Sequence, residues 1–217
     1  MKKALIFGAT GFIGSYLLAD LLYNSDYEKV IAVVRRDPGV NHPKLALLTG
    51  DLDLLPKIKD SLEADDVFIA LGTTKKKTPC RAEYYRIDHD YPVRAAEIAK
   101  DKGATSVFLV SAINADANSH VFYLRTKGEA ERDILALGYD HTHIFRPSLI
   151  MGTRREHRPM EKTLIAIWSI LDPFFQGCFS RYKGMEAKEI AQAMNNAASC
   201  PAEKVTVYHW KEMHTLL

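Results

Sequence analysis

Cysteine is scarce and badly spaced for pairing. Cys80, Cys178 and Cys200 lie far apart, with no C-x-x-C among them, which excludes a disulfide framework and a cysteine zinc site. An odd, scattered set implies reduced thiols and predicts a cytoplasmic protein. Long apolar runs are missing too. The longest, Leu164 to Phe175, contains Ser169, Asp172 and Pro173 and is too short to span a bilayer. Met1-Lys2-Lys3 leads into an apolar run that a glycine turn soon breaks, so neither a signal peptide nor stable membrane insertion is expected. Neither sign of charge dominates. The net charge of +2 over 217 residues gives no argument for a nucleic-acid partner. None of the eight histidines has metal-ligand spacing to a second ligand, so no metal is expected. Linkers, repeats and low-complexity segments are also lacking. The length and the 47% hydrophobic content then suit one domain with a substantial core.

What the chain does have begins at once. Ala4-Leu5-Ile6-Phe7 is a short apolar run, followed by Gly8-Ala9-Thr10-Gly11-Phe12-Ile13-Gly14 and then by apolar residues at helical spacing from Tyr16 to Leu22. Strand, tight glycine turn and helix in that order form a dinucleotide-binding signature. The glycines let the chain turn sharply, admit a pyrophosphate and let helix pack on strand. The helix N-terminus faces that pyrophosphate with backbone donors and a positive dipole end. Gly8, Thr10, Gly11, Phe12, Ile13 and Gly14 are therefore candidate cofactor-binding residues.

Strand and helix signals alternate up to residue 146. Strands are expected at Val30–Val34, Leu45–Thr49, Val67–Ala70, Val107–Val110 and His141–Phe145. A long helix is expected over Glu83–Lys102 with Gly103 as its stop, and another over Val121–Leu137 stopped by Gly138. Apolar strands separated by helices predict an α/β fold with a doubly wound parallel sheet. Beyond it, helices at Glu161–Leu171 and Glu186–Ala198 and a strand at Val205–Tyr208 read as a small C-terminal cap. The expectation is one domain over 1–217, with a cofactor-binding core at 1–150 and a dependent, substrate-side cap at 151–217.

In such sheets ligands sit at the carboxyl ends of the strands. At the end of the second strand an NAD-specific site usually places an acidic residue for the ribose hydroxyls; this chain has Arg35 and Arg36. A guanidinium suits a 2′-phosphate, which predicts NADP (NADPH). Asp51, with Leu52, follows the third strand, where the carboxylate suits the adenine amino group or simply a turn. Leu71, Gly72 and Thr73 follow the fourth, where Gly72 permits close approach of the cofactor or makes a turn. Tyr123 and Lys127 stand one helical turn apart on a shared face. An ammonium beside a phenol favours phenolate and lowers the tyrosine pKa, making a general acid for a carbonyl or a base for an alcohol. Ser111, at the end of the preceding strand, is placed to hold the same substrate oxygen.

The glycine turn, Ser111, and Tyr123 with Lys127 resemble the short-chain dehydrogenase/reductase superfamily in its extended and atypical members. Ile87-Asp88-His89-Asp90-Tyr91-Pro92-Val93, Ala95-Ala96-Glu97-Ile98-Ala99-Lys100, and Phe145-Arg146-Pro147-Ser148 running into Thr153-Arg154-Arg155-Glu156 are similar to its oxidoreductase Tat-interactive-protein subfamily. The resemblance covers nearly the whole chain. It implies a Rossmann fold, NADPH binding and hydride transfer with Tyr123 as acid/base. It also implies that Lys127 bonds the nicotinamide ribose and that Pro147 packs near the nicotinamide. Asp88 stands where members commonly carry asparagine, and Ser111 is followed by Ala112-Ile113 where members often carry further hydroxyls.

Weaker signals are Lys75-Lys76-Lys77 beside Gly72, the basic cluster Arg154, Arg155, His157 and Arg158, and His141 with His143, which read as structural. The resulting expectation is an NADP-dependent oxidoreductase acting on a small-molecule carbonyl or alcohol, as monomer or homodimer. The alternatives are an NADPH-sensing regulatory protein without turnover and, with only about 70 residues after Arg146 to hold a nucleotide-sugar, an epimerase-like enzyme.

Overall fold

The computed structural model describes residues 1–50, 61–152, 177–200 and 203–217. In chain order its elements are β1 (Lys2–Phe7), α1 (Phe12–Tyr23), β2 (Tyr27–Val34), β3 (Leu45–Thr49), β4 (Asp66–Ile69), α2 (Arg81–Tyr85), a π-helical turn (Arg86–Asp90), α3 (Tyr91–Asp101), β5 (Ser106–Val110), α4 (Phe122–Ala136), β6 (His141–Phe145), β7 (Ile150–Met151), a 3-10 segment (Gly177–Tyr182), β8 (Met185–Glu186), α5 (Ala187–Ala197), β9 (Val205–Tyr208) and α6 (Trp210–Thr215). Seven strands form one sheet in the order β3-β2-β1-β4-β5-β6-β9, and all its pairings are parallel. Strand order reverses between β1 and β4. In sheets of this kind ligands bind at such a switch point, at the carboxyl ends of the two strands.

The strands are apolar on both faces because both faces are covered. Ala4, Ile6, Val30, Ala32, Phe68 and Phe108 point into one core, shared with Leu17 and Leu21 of α1. Leu5, Phe7, Ile31, Val33, Val67 and Leu109 point into the other, shared with Ala95, Ala96 and Ala99 of α3 and Ile134 of α4. The doubly wound parallel sheet expected from the strand pattern, and the Rossmann fold that the resemblance implies, are thus observed.

One departure has a physical reason. The helix expected over Glu83–Lys102 is broken into α2, the π-helical turn and α3. Pro92 lacks an N–H, and in a regular helix its ring clashes with the carbonyl four residues back, here that of Asp88. Widening the coil over 86–90 accommodates this and turns Asp88 and His89 inward, where both are buried. The tail carries the expected helix and strand, and both join the main fold. Ile190, Ala191, Ala193 and Met194 of α5 join the core beside α1, and β9 pairs with β6, extending the sheet by one strand. The helix expected over Glu161–Leu171 and the basic cluster at 154–158 lie outside the described residues.

Candidate active site

The glycine turn closes tightly over the end of β1. Gly8 has φ +86°, and a Cβ there would lie 2.4 Å from the Ala70 carbonyl oxygen just past β4. A Cβ on Gly14 would lie 2.0 Å from the Gly8 carbonyl oxygen. Both clashes are with backbone, so neither position accepts a side chain without moving the strand ends or α1. The Gly11 amide donates to Gly8 O at 2.8 Å, and α1 starts there without a side-chain cap. Thr10 and Gly11 are exposed. The Ile13 side chain is buried beside Leu17, which leaves only its backbone to a ligand. Phe12 is partly buried, with Gly152 close over its ring: a Cβ on Gly152 would lie 3.1 Å from Phe12 Cζ.

Across the switch point lies the second half of the site. Lys127 of α4 is buried, and its Nζ pairs with Asp88 Oδ1 at 2.9 Å. The other Asp88 oxygen accepts the Thr73 amide at 2.8 Å. Gly72 lies against this pair: a Cβ on it would sit 3.4 Å from Asp88 Oδ1 and 3.6 Å from Lys127 Nζ. Those are ordinary contacts at an ordinary φ, so the protein itself does not require glycine at 72. Leu71, by contrast, turns toward the core of the α3 side. Burial opposes the charge on Lys127, but Asp88, with Tyr123 and Glu131, outweighs it and holds the ammonium above its ordinary value.

Tyr123 begins the same face of α4 and is 41% exposed. The protein packed around its phenol pushes the pKa up; Lys127 pulls it down and Asp88 pushes it up again, with a net rise. The expected depression of the phenol by its lysine is therefore not what the site produces. Tyr84 of α2 adds a second phenol. It is buried, packs edge-on to Phe122 and feels the charges of Asp88 and Tyr123.

Ser111 is buried at the end of β5, and its Oγ makes no hydrogen bond to the protein. A buried unpartnered hydroxyl is costly, so this one is available to a bound group. Its backbone is fixed: Ser111 N donates to Phe145 O at 2.7 Å and Ile113 N to Pro147 O at 2.9 Å. That ladder also places Pro147, buried, beside the Ser111 loop. The loop seats on α4 at Gly128, where a Cβ would lie 2.2 Å from Ala117 N. One turn below Lys127, Glu131 makes a two-point ion pair with Arg146 at the end of β6, Nε to Oε1 at 2.9 Å and Nη2 to Oε2.

The other expected residues are placed by their elements and exposure. Arg35 and Arg36 are exposed past β2, and Lys75, Lys76 and Lys77 are exposed in the loop after β4. Asp51 and Leu52 lie outside the described residues. His143 is buried, stacked on Phe108 at 4.3 Å and bonded to the Tyr208 hydroxyl at 2.8 Å; burial pulls its pKa down to about 4. Sequence reasoning missed Tyr84, Gly128 and the Glu131–Arg146 pair. The turn-to-turn spacing of Lys127 and Glu131 is the one local hint of the last.

A glycine turn that only backbone can fill, facing an unpartnered serine and a buried lysine, fits a dinucleotide. The family profile described as NAD(P)H-binding matches residues 8–164. The chain belongs to that family. It is similar to the protein fmp52 of Aspergillus niger, 33% identical and covering 98% of this chain and 97% of that one. It is also similar to FMP52 of Meyerozyma guilliermondii, 36% identical over 78% of this chain and 74% of that one. Among solved structures, WbmH of Bordetella bronchiseptica in complex with NAD+ superposes with a TM-score of 0.72 at 19% identity, covering 97% of this chain and 75% of that one. That likeness shows a shared fold.

The relatives correct the expected compartment. Both fungal proteins are named mitochondrial, which points away from the cytoplasm. Scattered thiols argue against an oxidising compartment but do not choose among reducing ones; Cys80 and Cys200 are free thiols here. Among the described residues no helix is long and apolar enough to cross a membrane, and no group of three or more potential ligands could hold a metal ion.

Proposed function

We propose that this NAD(P)H-binding protein is an NADP(H)-dependent oxidoreductase of the short-chain type, acting on a small carbonyl or alcohol, with Tyr123 as the acid/base. The observation that carries the reading is the buried Lys127 ammonium on the Tyr123 face of α4, with Gly72 against it just past the end of β4 at the switch point. When bound, the cofactor supplies or accepts the hydride. The chain's own residues do the rest. Gly8, Gly11 and Gly14 let the pyrophosphate approach the α1 N-terminus. Arg35 and Arg36 meet the 2′-phosphate, and Lys127 bonds the ribose. The Ser111 hydroxyl holds the substrate oxygen, and Tyr123 gives that oxygen its proton as the neighbouring carbon gains hydride. The Lys127 charge steadies the phenolate left behind until solvent returns the proton. Gly72 supports close approach of the cofactor, since nothing else demands a glycine there. The narrower likeness to the Tat-interactive oxidoreductases is part of this reading. The mitochondrial naming of the relatives sets where substrate is to be sought.

The test is a fluorescence titration with NADPH and NADH, followed by a carbonyl and alcohol panel on wild type and Tyr123→Phe. NADPH preference and turnover lost in the variant are expected. Turnover that survives in Tyr123→Phe overturns the acid/base role; tight NADPH binding without turnover across the panel leaves a sensor instead.

A further inference from the structure

Phe122, the residue before Tyr123, holds two guanidiniums at its ring. Arg81 Cζ, from α2, lies 5.4 Å from the ring centre, and Arg125 Cζ, one turn along α4, lies 6.0 Å from it. Tyr84 packs edge-on to the same ring at 5.7 Å, and its hydroxyl donates to Thr73 O at 3.5 Å. These contacts bring α2, the loop after β4 and the first turn of α4 together beside Tyr123. A ring attracts a cation through its face, which leaves the guanidinium N–H groups for an acceptor. Among the described residues neither arginine has a carboxylate partner. Arg125 gives one hydrogen bond, to Ser119 O at 3.3 Å, and Arg81 gives none. The neighbouring carboxylates are engaged elsewhere, Glu129 with the Tyr85 hydroxyl, Asp116 with the Asn118 amide and Asp88 with Lys127. Glu83, two residues from Arg81 on α2, falls on another face. Lys75, Lys76 and Lys77 are exposed on the adjoining turn, which Lys77 N and Thr78 N close by donating to Thr74 O at 2.9 Å. The Thr74 hydroxyl oxygen in that turn is buried without a hydrogen bond.

We propose that this rim is the subsite that sets substrate class: Arg81 and Arg125 hold an oxyanion, a carboxylate or a phosphate, at the end of the substrate remote from its carbonyl. The inference rests on the reading of Tyr123 as the acid/base and names the kind of compound that reading leaves open. A guanidinium presents paired N–H donors whose spacing matches two oxygens of a carboxylate or phosphate. The Phe122 ring pre-orders both long side chains, so less rotamer freedom is lost when an anion binds. The three lysines add a positive field that raises the local concentration of anions at the rim. The unpartnered Thr74 hydroxyl adds a donor in the same turn. The cofactor does not compete for these groups. Arg35 and Arg36, which meet its 2′-phosphate in that reading, follow β2, on the other side of the β1–β4 switch point from the loops after β4 and β5.

The experiment is a ligand-observed NMR titration of the full chain, saturated with NADPH, with three probes: benzoate, phenyl phosphate and the neutral benzamide. Wild type is expected to bind at least one of the two anions roughly tenfold more tightly than benzamide, the lower end of what a charge-assisted contact is worth at an exposed rim. The better anion shows which oxyanion the rim prefers. Arg81→Gln combined with Arg125→Gln is expected to abolish the preference. Arg81→Lys combined with Arg125→Lys keeps the charge and is expected to retain part of it, which a packing role alone does not predict. Equal binding of all three probes by wild type overturns the proposal, and decides the matter even if the glutamine variant does not fold. A preference that survives in the glutamine variant overturns it too. In turnover, 4-carboxybenzaldehyde is expected to exceed its methyl ester in kcat/KM, with the difference in KM. The binding titration needs no turnover, so it fails independently of the test on Tyr123→Phe.

Discussion

Replacing Gly128 by alanine isolates the contact that seats the Ser111 loop on α4. On helix propensity alone the change stabilises an interior helical position by about 1 kcal/mol. The fold reverses that sign. The new Cβ would lie 2.2 Å from Ala117 N, 2.2 Å from Asp116 C and 2.6 Å from Asp116 Cα, whereas ordinary contact begins at 3.4 Å. The loop must therefore retreat by about 1.2 Å, the difference between contact distance and the built one. All three atoms are backbone, so no rotamer relieves the overlap. Retreat strains the bond from Asp116 N to Leu124 O, 3.1 Å long, which contributes about 0.5–1.5 kcal/mol. Overpacking of this kind costs about 1–3 kcal/mol. Set against the propensity gain, the net loss is about 0.5–3.5 kcal/mol. For a domain of this size that lowers Tm by roughly 1–14 °C. Thermal unfolding followed by circular dichroism reads it directly. A Tm equal to or above that of wild type means the loop does not rest on Gly128, and the account of how Ser111 is placed falls with it.

Three further outcomes follow from the same structure. Arg35→Ala combined with Arg36→Ala is expected to weaken NADPH binding roughly 10- to 100-fold, the worth of a lost charge-assisted contact, and to leave NADH nearly untouched; equal losses for both cofactors contradict the 2′-phosphate assignment. Glu131→Gln leaves Arg146 facing a neutral partner in a site where Glu131 is 5% and Arg146 24% exposed. The cost in urea denaturation is expected near the lower end of the buried-pair range, about 3 kcal/mol, and a loss under about 1 kcal/mol would place the pair effectively in solvent. His143 titrates at about 4 in the fold against about 6.5 in the unfolded chain. The unfolded state takes up its proton first, so stability is full above pH 6.5 and declines from there to pH 4, by at most about 3 kcal/mol. His143→Phe is expected to flatten that part of the stability-pH curve; a decline as steep as wild type assigns the acid sensitivity to other groups.

Much of this protein can be read along the chain because the signals are local. Six apolar runs become six strands at close to their expected bounds, since a strand buried on both faces must be continuously apolar. The glycine turn is visible because its constraint lies within a few residues. Tyr123 and Lys127 are visible because one helical turn sets their shared face. The break in the helix expected over Glu83–Lys102 leaves no local sign, because its cause is a clash of Pro92 with a carbonyl behind it, which makes no gap in the apolar spacing. The tail's helix and strand are legible locally but their partners are not, because pairing between β9 and β6, and between α5 and α1, joins elements far apart in sequence. The compartment could not be read from thiols at all and came from the relatives.

The sequence by itself determined the fold class, the cofactor-binding end of the sheet and the phenol–ammonium face of α4. Only the tertiary structure decided what that ammonium faces. Asp88 reaches Lys127 because the crossover from β4 to β5 lays the π-helical turn against α4, and Glu131 meets Arg146 because β6 ends beside it. Such encounters depend on where the sheet order carries each element, and in a low-dielectric interior they decide which charges are paired.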